Sequence, residues 1–247
     1  MRALLILLGV CIGLVIALPF GLRMSHLRAA VPDWVPGAAA SITDDSRLVA
    51  GTLAEALPGL PLALQWTLVP GAPCTAKLAL TGPTTTMRAQ ATWPPRGEVV
   101  DLSGIRGQIG LGGWATDTSF AIEGDVSVEE GSASIQVADG RPRRIAGRVR
   151  ASGLAFDGVD IGLASAEIIP DAIGWQAPLV LKGPVFEGTG TVQGRYAEPN
   201  LYVALSLVAI GDVPDNWRAV LDTFGDKTET GWDIEQRLDM RRLLPAP

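Results

Sequence analysis

From residue 60 onward the chain alternates. In "LPLALQWTLV", Leu60, Leu62, Leu64, Trp66 and Leu68 share one parity, and Pro61, Ala63, Gln65, Thr67 and Val69 share the other. A two-residue period marks a strand with one buried face. Pro61 has no N–H for a ladder, so it is expected at the strand's beginning or edge. The stretch before it, from Gly51, is broken by prolines and glycines and reads as an approach to the sheet. The alternation returns in Cys74–Thr81 and Thr85–Trp93, and weakly through residues 97–114. Further runs cover residues 119–131, 132–140, 143–153, 159–171, 172–178, 179–184, 185–197 and 200–210. Gly, Pro, Asn and Asp stand between most of them, where turns need them. One segment breaks the period. In "PDNWRAVLDTFG", Trp217, Val220, Leu221 and Phe224 fall at i, i+3, i+4 and i+7. This predicts a short amphipathic helix, with Asp215 as its cap and Gly225 as its stop. A last strand is expected in "GWDIEQRLDM" (residues 231–240), and the trailing "RRLLPAP" reads as frayed. The expected fold is mainly β: a long antiparallel meander with one apolar and one mixed face, forming a curved sheet or a partly open barrel.

The N-terminus follows another rule. Ala3 to Leu22 is twenty residues without a charge, the length that crosses about 30 Å of hydrocarbon as a helix. Twelve Leu, Ile, Val or Phe precede Gly21. At about −0.3 to −0.6 kcal/mol each, they favour insertion by several kcal/mol. The apolar core of a cleaved signal peptide is shorter, roughly 7–15 residues, and here Arg23, His26 and Arg28 follow the run. An uncleaved signal anchor over residues 1–24 is therefore expected, with a juxtamembrane linker over 25–50 and a β-rich domain over 51–247. Arg2 and the amino terminus balance Arg23 and Arg28, so the short N-terminal tail decides the orientation: N-terminus inside, body translocated. Gly9 and Gly13 form a GxxxG pair, the pattern through which two membrane helices approach closely as a homodimer.

Composition narrows the function classes. Apolar residues make up 47% of the 247, which is too many for disorder, and the 29 glycines and 18 prolines suit many short elements. A net charge of −6 gives no electrostatic footprint for nucleic acid. Of the two cysteines, Cys11 lies in the apolar N-terminal run and Cys74 far beyond it, so no disulfide framework is expected and Cys74 reads as a small apolar residue.

The sequence offers little chemistry. The single histidine, His26, follows the anchor and reads as an interfacial side chain. Zinc needs several His or Cys ligands, and the body supplies Cys74 alone. Asp44–Asp45 fall in the linker, and Glu129–Glu130 before Gly131 read as a turn and not as an acid/base pair. "GTGTVQG" (Gly188–Gly194) misses the dinucleotide spacing by one residue and has no helix behind it, so its glycines read as bulges or bends. The basic cluster Arg141–Arg144, "RPRR", reads as a solvated hairpin, with lipid headgroups or an acidic partner as the other reading. The body tryptophans read as core filling, with one or two left for a partner patch. No catalytic, cofactor or metal residue is expected.

At this point the motifs resemble a family. "GTLAEALPGLPLALQWTLVP" is similar to the signature of type II secretion system protein N: Gly51, Thr52 and Leu53, then Leu64, Trp66, Leu68 and Pro70. Asp139, Gly140, Arg141 and Pro142 resemble its Asp-Gly-Arg-Pro hairpin. "LKGPVFEGTGTVQ" resembles its Gly-Gly-Pro segment with Lys182 in place of the first glycine, and "IGDVP" stands where the family usually has a proline-arginine pair. The resemblance implies an inner-membrane protein with a periplasmic β-rich domain. It implies an accessory of the machine that moves folded proteins across the outer membrane, with other secretion subunits as partners, no enzymatic activity and no cofactor. A second resemblance, to AsmA-like periplasmic lipid-binding or lipid-transferring sheets, pairs a similar anchor and sheet with lipid as the partner.

Overall fold

The computed structural model describes residues 50–53, 62–69, 72–93, 98–113, 122–138, 141–198 and 200–239. The apolar run at 3–22, with Gly9 and Gly13, lies outside these residues, as do His26 and Asp44–Asp45. Among the described residues no helix is long and apolar enough to cross a membrane.

The body is mainly β. Its strands are β1 (Ala50–Leu53), β2 (Ala63–Val69), β3 (Ala72–Thr81), β4 (Thr85–Thr92), β5 (Val99–Gly110), β6 (Ile122–Gln136) and β7 (Pro142–Phe156). They continue with β8 (Val159–Pro170), β9 (Gly174–Lys182), β10 (Phe186–Arg195) and β11 (Asn200–Ala209). A helix, α1 (Asp215–Phe224), then precedes β12 (Asp226–Lys227) and β13 (Gly231–Asp239). All thirteen strands form one curved antiparallel sheet, in chain order except that β13 lies between β11 and β12.

Several expected boundaries move. Gly51–Leu53 is not an approach but the strand β1, hairpinned onto Leu64–Trp66 of β2, and Ala50 of the expected linker already belongs to it. Glu129–Gly131 is not a turn. It is a bulge inside the fifteen-residue β6, with Glu130 at φ 54 and the register shifting between Glu129 and Ser132. Pro178 does not end a strand; β9 runs through it. The ladder from β8 skips Ala177 and Pro178, so the missing N–H falls where no bond is made.

The curl has identifiable causes. Register shifts concentrate in β5 to β8, where Gly104 and Gly153 both sit at φ 59, the left-handed conformation that glycine adopts without strain. Each extra residue bends its strand and increases the local twist. Tyr196, after β10, reaches back to β7, where its hydroxyl accepts a hydrogen bond from the Ile145 N–H at 3.3 Å.

α1 forms where the 3.6-residue period requires it, but Asp215 does not cap it. Pro214 occupies the N-cap, with no side-chain hydrogen bond, and Asp215 is the first helical residue. Gly225 does end the helix, in an extended conformation, its N–H donating to the Leu221 carbonyl at 2.8 Å.

Candidate functional site

Strand pairing fixes which side chains share a face. One row runs Leu64, Leu80, Met87, Gly107, Val128, Val149, Ala166, Leu179, Gly190, Leu205 and Ile234, each the cross-strand partner of the next. It crosses eleven strands without a polar side chain. At a strand spacing of about 4.8 Å it is roughly 48 Å long. One residue along, the opposite face reads Ala63, Thr81, Thr86, Gln108, Ser127, Arg150, Ser165, Val180, Thr189, Ser206 and Asp233. Across these eleven strands the sheet is amphipathic, and the apolar side faces inward.

At one end of this inner face α1 builds a core. Leu181, Phe186, Leu207, Val213, Leu221 and Trp232 are buried together, with Trp217, Leu205 and Ile234 packed against them. Trp217 meets Phe186 at 5.8 Å between ring centroids, and Phe186 meets Trp232 at 6.4 Å. The Trp232 indole N–H donates to Asp222 Oδ1 at 2.7 Å, so the one polar atom of that buried ring is satisfied. The core that α1 builds takes in Leu181 and Leu207, which are buried, while Leu179, Leu201 and Val203 are half-buried. It does not extend along the whole face. Among the described residues no α-helix or second sheet lies over β2 to β6, whose row residues Leu64, Leu80, Met87 and Val128 are half-buried.

The glycines of "GTGTVQG" do not mark bulges. β10 pairs in unbroken register on both sides, and Gly188, Gly190 and Gly194 face inward. A Cβ on Gly194 would lie 2.7 Å from the Trp175 indole, and one on Gly190 would lie 2.3 Å from the Ala204 carbonyl oxygen. Gly194 makes room for the Trp175 ring, and Gly190 for the close backbone of β11.

The polar side carries a shallow groove of about 320 Å³ lined by Glu129, Arg148, Arg150, Ser165, Glu167 and Pro178, among others. Its charges pair with one another. Arg148 bonds Glu130 at 2.9 Å, and Arg150 approaches Glu129 at 4.0 Å, all well exposed. Of the basic cluster, Arg143 bonds Gln136 through two nitrogens at 3.0 and 2.9 Å, as in a solvated hairpin. Cys74 is a free, half-buried thiol in β3. Among the described residues no group of His, Cys, Asp or Glu could hold a metal ion. No protein family, curated protein or solved structure matches the chain.

Proposed function

We propose that the chain is a non-enzymatic accessory component of the type II protein secretion machinery. In this reading residues 3–22 hold it in the inner membrane, the sheet stands in the periplasm, and it acts by binding. The observation that supports binding is the apolar row from Leu64 to Ile234, which among the described residues is filled by α1 at one end only. So long an apolar surface is costly in water unless something covers it. The secretion setting rests on the motifs at Gly51–Pro70 and Asp139–Pro142. The test is deletion of the gene: secretion of at least one folded exoprotein should fall, or the level of another secretion component should change. An unaltered secretome with unaltered component levels, in a strain without a second copy, sinks the proposal. Protease added to spheroplasts should digest the body, and full protection contradicts the topology.

A second reading is favoured by one feature, the inner face of β2 to β6. A lipid-binding sheet of the AsmA-like kind needs such a face, because acyl chains ask for apolar contact and offer no hydrogen bonds. Phospholipid recovered in stoichiometric amount from the purified full chain supports this reading, and a lipid-free chain that captures a periplasmic secretion subunit supports the first.

A further inference from the structure

We propose that two copies of this chain pair through the outer edge of β13. β12 covers only Trp232 and Asp233 of that edge, through Lys227 and Asp226. Among the described residues no strand pairs with Ile234–Leu238 on that side. The orientation of the open backbone follows from alternation. The Gly231 carbonyl accepts from the Thr228 N–H at 2.9 Å, so Gly231 points toward β12 and away from β11. Asp233, Glu235 and Arg237 share that direction. Glu235 and Arg237 therefore each present an N–H and a C=O to an incoming strand.

The sequence of this edge is complementary to itself. An antiparallel copy centred on Gln236 places Glu235 opposite the partner's Arg237 and Arg237 opposite the partner's Glu235. Each such pair exchanges two backbone hydrogen bonds and sets opposite charges side by side on the polar face. On the apolar face Ile234 meets the partner's Leu238, and Leu238 the partner's Ile234. Gln236 meets itself at the twofold axis. The pairing must end there: Asp226 already occupies the place beside Asp233, so the partner strand leaves the ladder after its Leu238. An isologous contact of this kind closes as a dimer and cannot propagate into a fibre.

Two exposed apolar side chains fit the same axis. Leu238 is 39% exposed although it belongs to the apolar face, and Phe224 at the end of α1 is 55% exposed. The Phe224 carbonyl accepts from Gln236 Nε2 at 3.1 Å, so the backbone of Phe224 lies beside the centre of the proposed contact. The paired sheets would carry their apolar faces on the same side.

The test uses the full chain in detergent micelles, with Cys11 and Cys74 replaced by serine. Gln236→Cys places two thiols across a non-hydrogen-bonded pair, where Cα atoms are about 4.5 Å apart. Mild oxidation should yield a disulfide dimer. Tyr202→Cys, exposed on the outer face one strand further in, should not, because its copies stand roughly 14 Å apart in the paired sheet. In the Gln236→Cys chain, adding Glu235→Arg should lower the cross-linked fraction about tenfold or more, and adding Arg237→Glu as well should restore it. Equal cross-linking at positions 202 and 236 overturns the proposal. So does a Glu235→Arg variant that cross-links as before, a double variant with no recovery and an unchanged melting temperature, or a Gln236→Cys disulfide formed only with a different protein.

Discussion

Trp217 of α1 stands edge-on to Phe156 of β7, with ring centroids 5.2 Å apart and planes at 79°. The helix follows β11, so this contact reaches back across β10, β9 and β8. One tryptophan thus ties the end of the chain to the middle of the curl. It also touches Phe186, so it bridges two aromatic rings from separate strands.

Trp217→Ala should cost about 2–4 kcal/mol, a little under the range for a fully buried tryptophan because its ring is half-buried. Urea unfolding of the full chain, with the m-value unchanged, measures it. A loss below about 1 kcal/mol would mean that the helix is not a structural lid.

Asp222 offers a finer probe of the same region. Asp222→Ala leaves the buried Trp232 indole N–H unpaired and should cost about 1–2 kcal/mol. Asp222→Asn keeps an acceptor oxygen and should cost clearly less. Thermal melts of both variants give the comparison, and equal losses would show that the hydrogen bond contributes nothing specific.

Two glycines should separate conformational strain from crowding. Asp157 and Gly158 form the two-residue hairpin between Phe156 and Val159, at φ 49 and 76, so Gly158→Ala should cost about 1 kcal/mol through the left-handed backbone alone. Gly190→Ala drives a Cβ to 2.3 Å from the Ala204 carbonyl oxygen, and backbone must shift, at about 2–3 kcal/mol. Denaturant titrations should rank Gly190→Ala as the more damaging.

The apolar face can be tested with one charge on each side of the sheet. On the lipid-binding reading, Val128→Asp, which places a carboxylate in the row far from α1, should abolish co-purification of phospholipid, measured by mass spectrometry of the extracted chain. Thr189→Asp, exposed on the polar face, should leave any bound lipid in place. Leu205 is a poor probe, because it packs against the buried cluster and a charge there tests folding first.

Alternation made most strands legible in the sequence, because a half-buried strand must repeat every two residues. It failed where the period slips. "VEEGSA" spells a turn, yet Glu130 takes a left-handed conformation and β6 continues, with Glu130 paired to Arg148. Pro178 was masked in the same way by its neighbours: a proline inside a central strand is readable only once the adjacent ladder is known to skip it. β1 and β12, with four and two residues, are too short to show any period. Each strand's apolar parity was readable, but the row from Leu64 to Ile234 was not, because it depends on ten registers set by turns and bulges. The bond from Ile145 to Tyr196 joins residues 51 apart and has no local signal at all.

Chain order equals spatial order from β1 through β11. Each new strand therefore docks on the edge left by the one before it, so the sheet can grow outward from its N-terminal hairpin as the chain lengthens, without waiting for a distant segment. Such a ribbon also changes length in units of one hairpin. Duplicating β8–β9 in register would lengthen the inner face by about 9.6 Å and thread nothing. The fold behaves as an extensible strip whose span is set by strand number, with α1 placed just before its last two strands.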